Sequence, residues 1–230
     1  MIDVGANYRK IMDRIASVAV NARREPREIR LLAASKAQNV AAIRAAIAAG
    51  VTLIGENYVQ EAGEKKNQLP DSTEWHMIGH LQRNKAKAAL DIFDLIESLD
   101  SLALARELNK EGARRGKTVR VFVEVNLGGE ESKSGIAKDQ VAQLLTEVGA
   151  LSHIHVEGLM SVPPFRENLE EVRPYFRELR QLRETLSASR LPNVELKELS
   201  MGMTHDYTVA IEEGATIVRI GTALFGPRKT

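Results

Sequence analysis

The sequence has no cysteine. That excludes disulfides, thiolate zinc sites, iron–sulfur clusters and a cysteine nucleophile. It fits a reducing compartment, and a cytoplasmic location is the expectation. Neither sign of charge dominates: 32 basic and 31 acidic residues leave a formal net charge of +1. Nothing in that balance calls for nucleic acid or an anionic membrane as partner. No segment is apolar for long enough to span a bilayer. The opening stretch MIDVGANYRKIMDRIASV carries charges throughout and lacks the apolar centre of a signal peptide. No Pro/Gly/Ser-rich linker and no low-complexity run divides the chain, so one domain over 1–230 is expected.

The 230 residues are 43% apolar and 27% charged, an ordinary balance for a globular protein able to bury a sizeable core. Residues 6–22 read as an opening helix, with Ile11, Ile15 and Val18 at helical spacing. A strand–helix rhythm follows. Strands are predicted at 29–35, 52–55, 75–79, 93–98, 118–126, 153–160, 194–200 and 216–221. Helices alternate with them near 40–50, 57–68, 82–90, 101–116, 137–150, 168–189 and 206–213. Gly50 closes the first of these, and Pro174 is expected in the first turn of the long one or at a kink. About eight βα repeats in one chain of this length predict an α/β fold, a single (β/α)8 TIM-type barrel with an extra N-terminal helix. An open doubly wound sheet is the alternative, but its glycine-rich first turn is missing: the first strand runs into Ser35-Lys36-Ala37.

Barrel chemistry sits at the C-terminal ends of the strands. Here those ends carry Lys36, Glu56-Asn57, His80, Ser98, Asn126, Ser161, Ser200 and Arg219. Lys36 leaves the apolar run Leu31-Leu32-Ala33-Ala34. Burial disfavours an ammonium, and a neutral amine is what condensation with an aldehyde requires. The bland reading is a lysine whose head reaches solvent. Arg219 lies inside an apolar strand, and a buried guanidinium needs an acceptor: a carboxylate, a phosphate or a ring nitrogen. An ion pair with Glu56 or Glu124 would serve equally. The stretches Ser200-Met201-Gly202-Met203-Thr204 and Gly221-Thr222-Ala223-Leu224-Phe225-Gly226 read as loops after the last two strands, where barrels often hold phosphate. His76, His80, His153 and His155 lack a shared face or a third ligand, so no metal is expected. Residues Glu130 to Gly135 read as a solvated rim loop.

Taken in order, the motifs resemble those of the pyridoxal phosphate homeostasis (YggS/PROSC) family nearly end to end. They are Leu32-Ala33-Ala34-Ser35-Lys36, Gly55-Glu56-Asn57-Tyr58-Val59-Gln60-Glu61, and His76-Met77-Ile78-Gly79-His80-Leu81-Gln82-Arg83-Asn84-Lys85. Then come Ser132-Lys133-Ser134-Gly135, Gly158-Leu159-Met160, Leu199-Ser200-Met201-Gly202-Met203, and Val218-Arg219-Ile220-Gly221-Thr222 closed by Phe225-Gly226. The resemblance implies a barrel like the N-terminal domain of alanine racemases and pyridoxal 5′-phosphate as cofactor, with Lys36 as the Schiff-base lysine. It implies phosphate loops at Ser200-Met201 and Gly221-Thr222, with Arg219 facing the pyridine nitrogen. It also brings Asn57, Met77 and Ser161 near the cofactor. Many relatives read S-K-x-K-P where this chain has Ser35-Lys36-Ala37-Gln38-Asn39, so the second lysine is Gln38 here. Thr204 stands where many have serine.

The implied role is vitamin B6 homeostasis in the cell, with no catalytic residue. The cofactor, and by extension other B6 vitamers, is the expected small-molecule partner, with cofactor-accepting apoenzymes as recipients and neither nucleic acid nor membrane. The competing reading is a cofactor-dependent amino-acid racemase. Racemases take a second acid/base group from a C-terminal β-domain, and the sequence ends four residues after Gly226, so none is expected. A barrel that binds a sugar phosphate without a covalent link would not need the full motif set.

Overall fold

In the strands, residues of one parity are apolar and residues of the other are mixed. Leu31 and Ala33 join the apolar layer beneath the helices, whereas Leu32 between them joins a separate cluster with Leu53, Leu95, Phe122, Met160 and Ile217. Successive residues point to opposite faces, and residues of both parities are buried in strands such as Leu53–Glu56, Leu95–Leu99 and Ile217–Ile220, so these strands are buried on both faces. Strands of this kind need helices outside and each other inside, which a closed barrel supplies.

The computed structural model describes residues 2–129 and 134–227. Its strands are β1 (Arg30–Ala34), β2 (Leu53–Glu56), β3 (Glu74–Met77), β4 (Leu95–Leu99), β5 (Val119–Asn126), β6 (Ile136–Ala137), β7 (Ile154–Met160), β8 (Val194–Met203) and β9 (Ile217–Ile220). The helices are α1 (Val4–Asn21), α2 (Val40–Ala49), α3 (Val59–Lys66), α4 (Ala86–Ala89), α5 (Leu102–Arg115), α6 (Val141–Gly149), α7 (Leu169–Ser187), α8 (Tyr207–Glu212) and α9 (Thr222–Phe225). Parallel pairing runs β1-β2-β3-β4-β5-β7-β8-β9, and β9 returns to β1, closing the eight-stranded barrel. The short β6 adds to the far end of β5. The extra helix α1 packs against α2, α8 and α9.

Local signals fix where the site-bearing turns fall. Asn39 caps α2 by accepting from the Ala42 amide, and Gly50 ends it at φ +119, a conformation glycine adopts without a Cβ penalty. The β1–α2 turn is thereby confined to residues 35–39. At the opposite mouth, Arg120 bridges Glu157 and Glu74 at 2.7 Å, and Arg30 reaches Glu74 at 3.4 Å and Glu198 at 3.5 Å. This charged floor and the apolar cluster above it fill the barrel from below.

Several expectations need adjustment. β8 runs three residues past its predicted end, to Met203, after a register shift in its pairing with β9. The stretch after β9 is not a loop but the single helical turn α9. Pro174 lies beyond the first turn, inside α7, which continues through it. The polar segment at 82–90 is a 3-10 turn leading into only four α-helical residues. Of the predicted rim loop at 130–135, residues Glu130 to Lys133 lie outside the described residues. Among those described, no helix is long and apolar enough to cross a membrane.

Candidate functional site

The chain leaves β1 through Ser35, which is fully buried, and reaches Lys36, which is half-buried rather than enclosed. The Lys36 Nζ lies 5.3 Å from the centre of the Tyr58 ring, and no hydrogen bond to it occurs among the described residues. It borders a cavity of about 360 Å³ at the C-terminal mouth, within the usual span of small-ligand pockets. The cavity brings Lys36 together with Asn57, Arg219, Gly221 and Thr222, all expected from the sequence. Gln38, Thr204 and His205 also line it, and among the described residues no acidic side chain does.

Met77, Ser161, Ser200 and Met201 are not among its lining residues. Met77 and Met201 are buried in the layer between strands and helices. Met77 also borders a wider groove of about 1180 Å³ that adjoins the cavity at Asn57. Ser200 and Ser161 lie behind Arg219 and hold it. The guanidinium donates through Nη1 to Ser200 O and Oγ and through Nη2 to Ser161 O, each at 2.7 Å. Its ion-pair partner among the described residues is neither Glu56 nor Glu124 but Glu97, at 3.9 Å. Burial pulls the Arg219 guanidinium down from its ordinary value, while Glu97, Glu124 and Asp206 pull it back up. A guanidinium keeps its proton in any protein setting, so the inner wall of the cavity carries a fixed cation.

Behind that wall a polar chain runs down the barrel interior. The Ser200 Oγ donates to Glu97 Oε2 at 2.5 Å, and Glu97 Oε1 meets His76 Nδ1 at 2.6 Å. The other ring nitrogen of His76 lies 3.2 Å from Glu74 in the charged floor. Burial disfavours the imidazolium, but the two carboxylates outweigh it and raise His76 above its usual range. Burial would likewise push Glu97 up, yet His76, Arg219 and Ser200 hold it below the ordinary carboxylate value. His76 is thus a structural link in the barrel. His80 is exposed, 3.2 Å from Asp100.

Thr204 ties the two C-terminal segments together, its Oγ1 accepting from the Gly221 and Ala223 amides at 3.3 Å. His205 Nε2 donates to the carbonyls of Arg166 and Glu167 at 3.1 and 3.3 Å, and its ring lies 5.0 Å from that of Phe165.

Glu124 is one of five described side chains with a buried polar atom left unsatisfied, alongside Glu56, His76, Ser98 and Ser161. The Glu124 Oε2 is buried without a hydrogen bond. Burial pushes its carboxyl up to about 7 from 4.5, with Arg219 opposing and Asp100 and Glu97 adding to the rise. A carboxyl raised on folding stabilises the fold fully below its unfolded value and loses that contribution as pH climbs through the folded one. Folding stability should therefore fall between about pH 5 and 8, by at most about 3 kcal/mol for a shift of this size. Urea unfolding across that range checks this. The fall should be smaller in Glu124→Gln, and an unchanged fall would assign the pH dependence to other groups.

Of the strand-end residues read from the sequence, Lys36, Asn57 and Arg219 line the cavity; Glu97 and His205 were not singled out, and Gln38 was named only as the position where many relatives carry lysine. Glu97 left one signal, an acidic residue inside the apolar strand Leu95–Leu99.

Comparison with known proteins places this geometry in context. Residues 7–229 match the family described as "Alanine racemase, N-terminal domain". The chain is 46% identical over 221 residues to a pyridoxal phosphate homeostasis protein of Aquifex aeolicus, covering 96% of each protein. Among solved structures it resembles PipY of Synechococcus elongatus with pyridoxal phosphate bound: 37% identity, TM-score 0.81, covering 94% of this chain and 100% of that one. Alanine racemase of Clostridium difficile shares the fold at 15% identity and TM-score 0.76, with 99% of this chain covering 57% of the racemase.

Proposed function

Because the chain belongs to the pyridoxal phosphate homeostasis proteins, we propose that it holds pyridoxal 5′-phosphate covalently through Lys36 and serves vitamin B6 homeostasis in the cytoplasm without amino-acid turnover. One barrel domain over 1–230 carries this role. The observation behind it is the Lys36 amine, free of hydrogen bonds to the described residues, in a cavity backed by the buried Arg219 cation and lined by no described acidic side chain.

The residues present fit the group. When bound, it supplies an aldehyde carbon open to amines, a pyridine ring and a phosphate dianion. Lys36 Nζ is the nucleophile toward that carbon. The Thr222 and Thr204 hydroxyls, beside the small Gly221, offer donor surface of the kind that accepts phosphate, while the Gly221 amide itself is given to Thr204 Oγ1. Arg219, immobilised by Ser200 and Ser161, cannot accept a proton and so keeps a facing ring nitrogen unprotonated. A ring held in that state is a poor electron sink. Asn57 and Gln38 add amide contacts at the rim. Gln38, uncharged where many relatives carry lysine, supplies no second amine. Ser200 acts through Arg219 and not as a direct phosphate donor, since its hydroxyl is spent on Glu97 and Arg219. Met77 and Met201 support the wall from outside the barrel.

The racemase reading needs two acid/base groups on opposite faces of one carbon. Among the described side chains lining the cavity, Lys36 and His205 are the candidates for acid/base work beside the fixed Arg219 cation. His205 has one nitrogen committed to the Arg166 and Glu167 carbonyls. Carriage and delivery of the cofactor to an apoenzyme ask for the Lys36 amine as anchor and for no acid/base pair. Incubating the loaded protein with L-alanine and other amino acids in deuterated water should give no rapid α-deuterium incorporation, whereas added apoenzyme should gain activity. Fast incorporation that disappears in Lys36→Ala would restore the racemase.

A further inference from the structure

The turn that carries Lys36 is tethered by groups that do not line its cavity. Lys65, on the inner face of α3, is 7% exposed. Its Nζ donates to Ser35 O at 2.8 Å, to Glu56 Oε1 at 2.6 Å and to Glu61 Oε1 at 2.7 Å. An ammonium has three protons, and all three are used. Ser35 adds its own hydroxyl to the same Glu56 oxygen at 2.6 Å. On the other side of the turn, the Ala37 amide donates to Glu61 Oε1 at 2.8 Å. Ser35 and Ala37 are the two neighbours of Lys36, so one carboxylate–ammonium cluster grips the backbone on both sides of it.

Ala37 explains why a grip is needed. Its φ is +60, a left-handed conformation that is unfavourable for a residue with a Cβ and persists only where surrounding contacts impose it. The Gln38 amide closes the turn onto Ser35 O at 2.9 Å. Released from Glu61, Ala37 would relax toward negative φ and swing Lys36 away from Arg219 and Thr222. A buried lysine is also a costly way to join β1, β2 and α3, because desolvating the charge offsets much of its attraction to the carboxylates. An apolar side chain would join them without that cost, but it would not tie Glu61 to the Ala37 amide.

We propose that Lys65 and Glu61 are positioning residues for Lys36, holding the strained Ala37 turn so that the Lys36 amine faces the cavity. This rests on the reading of Lys36 as the covalent anchor. Lys65 itself is no rival anchor, since none of its protons is free.

Glu61 gives the decisive variants, because its side chain is 29% exposed and its loss leaves the barrel interior intact. In the full-length apoprotein, amide hydrogen exchange at Ala37 should quicken in Glu61→Ala. It should stay near the parental rate in Glu61→Gln, which keeps an acceptor oxygen. On titration with pyridoxal 5′-phosphate, Glu61→Ala should bind about tenfold more weakly, the effect of losing one hydrogen bond to a charged group. Glu61→Gln should recover most of that loss. Lys65→Met should quicken Ala37 exchange and weaken binding in the same direction. Parental exchange at Ala37 together with parental affinity in Glu61→Ala would overturn the inference. So would a binding loss shared equally by the alanine and glutamine variants with Ala37 exchange unchanged. If instead the parent protein takes no cofactor on Lys36, the underlying functional reading fails, and the exchange data still report whether the tether exists.

Discussion

Replacing Arg219 with methionine should cost the folded protein about 3–5 kcal/mol, the usual penalty for removing one partner of a buried charge cluster. The guanidinium is 4% exposed, and its donors satisfy Ser200 O, Ser200 Oγ and Ser161 O. Methionine satisfies none of these. It also leaves Glu97 with His76 as its remaining cationic neighbour and removes the cation that opposes the rise of Glu124 and Asp206. The loss should be greater at pH 8 than at pH 6, because Glu124 would ionise without compensation. Urea unfolding of apoprotein and loaded protein measures the loss, and binding should fall with it. A change below about 1 kcal/mol, the scale of an exposed ion pair, would mean that the barrel interior does not depend on this charge. Glutamate at 219 would be less informative, since it adds an acid facing Glu97, Glu124 and Asp206.

Lys36→Ala is expected to have the opposite profile: little effect on stability and complete loss of covalent capture. The side chain is half-buried, and the interactions found for it are the Tyr58 ring at 5.3 Å and the field of nearby Glu61. Truncating such a residue should change folding by no more than about 0.5 kcal/mol. The remaining cavity keeps Arg219, Thr222 and Thr204, so weak, reversible phosphate binding should survive. What disappears is the signal of a covalently held cofactor, in absorbance and in borohydride trapping. Strong covalent capture by the alanine variant would place the anchor elsewhere.

The barrel was legible because its signals are local. Apolar strands at regular spacing, Asn39 and Gly50 around α2, and polar residues at strand ends are readable within a few positions of one another. Lys36, Asn57, Arg219, Gly221 and Thr222 were singled out in this way, and they line one cavity. Met77 and Met201 show the limit. Neighbouring residues of a strand face opposite sides, so His76 and Ser200 enter the interior while Met77 and Met201, one position on, face the helices. A one-residue step in a motif reverses a side chain's surroundings. The partners of Arg219 were illegible for another reason. Ser200 and Glu97 meet across 103 residues of sequence, and no periodicity reports such a contact. The tether on Lys36 was hidden similarly, because Lys65 looks like one of two basic residues at the end of a polar helix.

The central claim is that Lys36 alone carries the cofactor. Load the parent protein with pyridoxal 5′-phosphate, reduce it with borohydride, digest it and locate the modified peptide by mass. The account predicts modification at Lys36 and no trapped label in Lys36→Ala. A label on Lys85 in the neighbouring groove, or on any other lysine, with Lys36 unmodified, would contradict it.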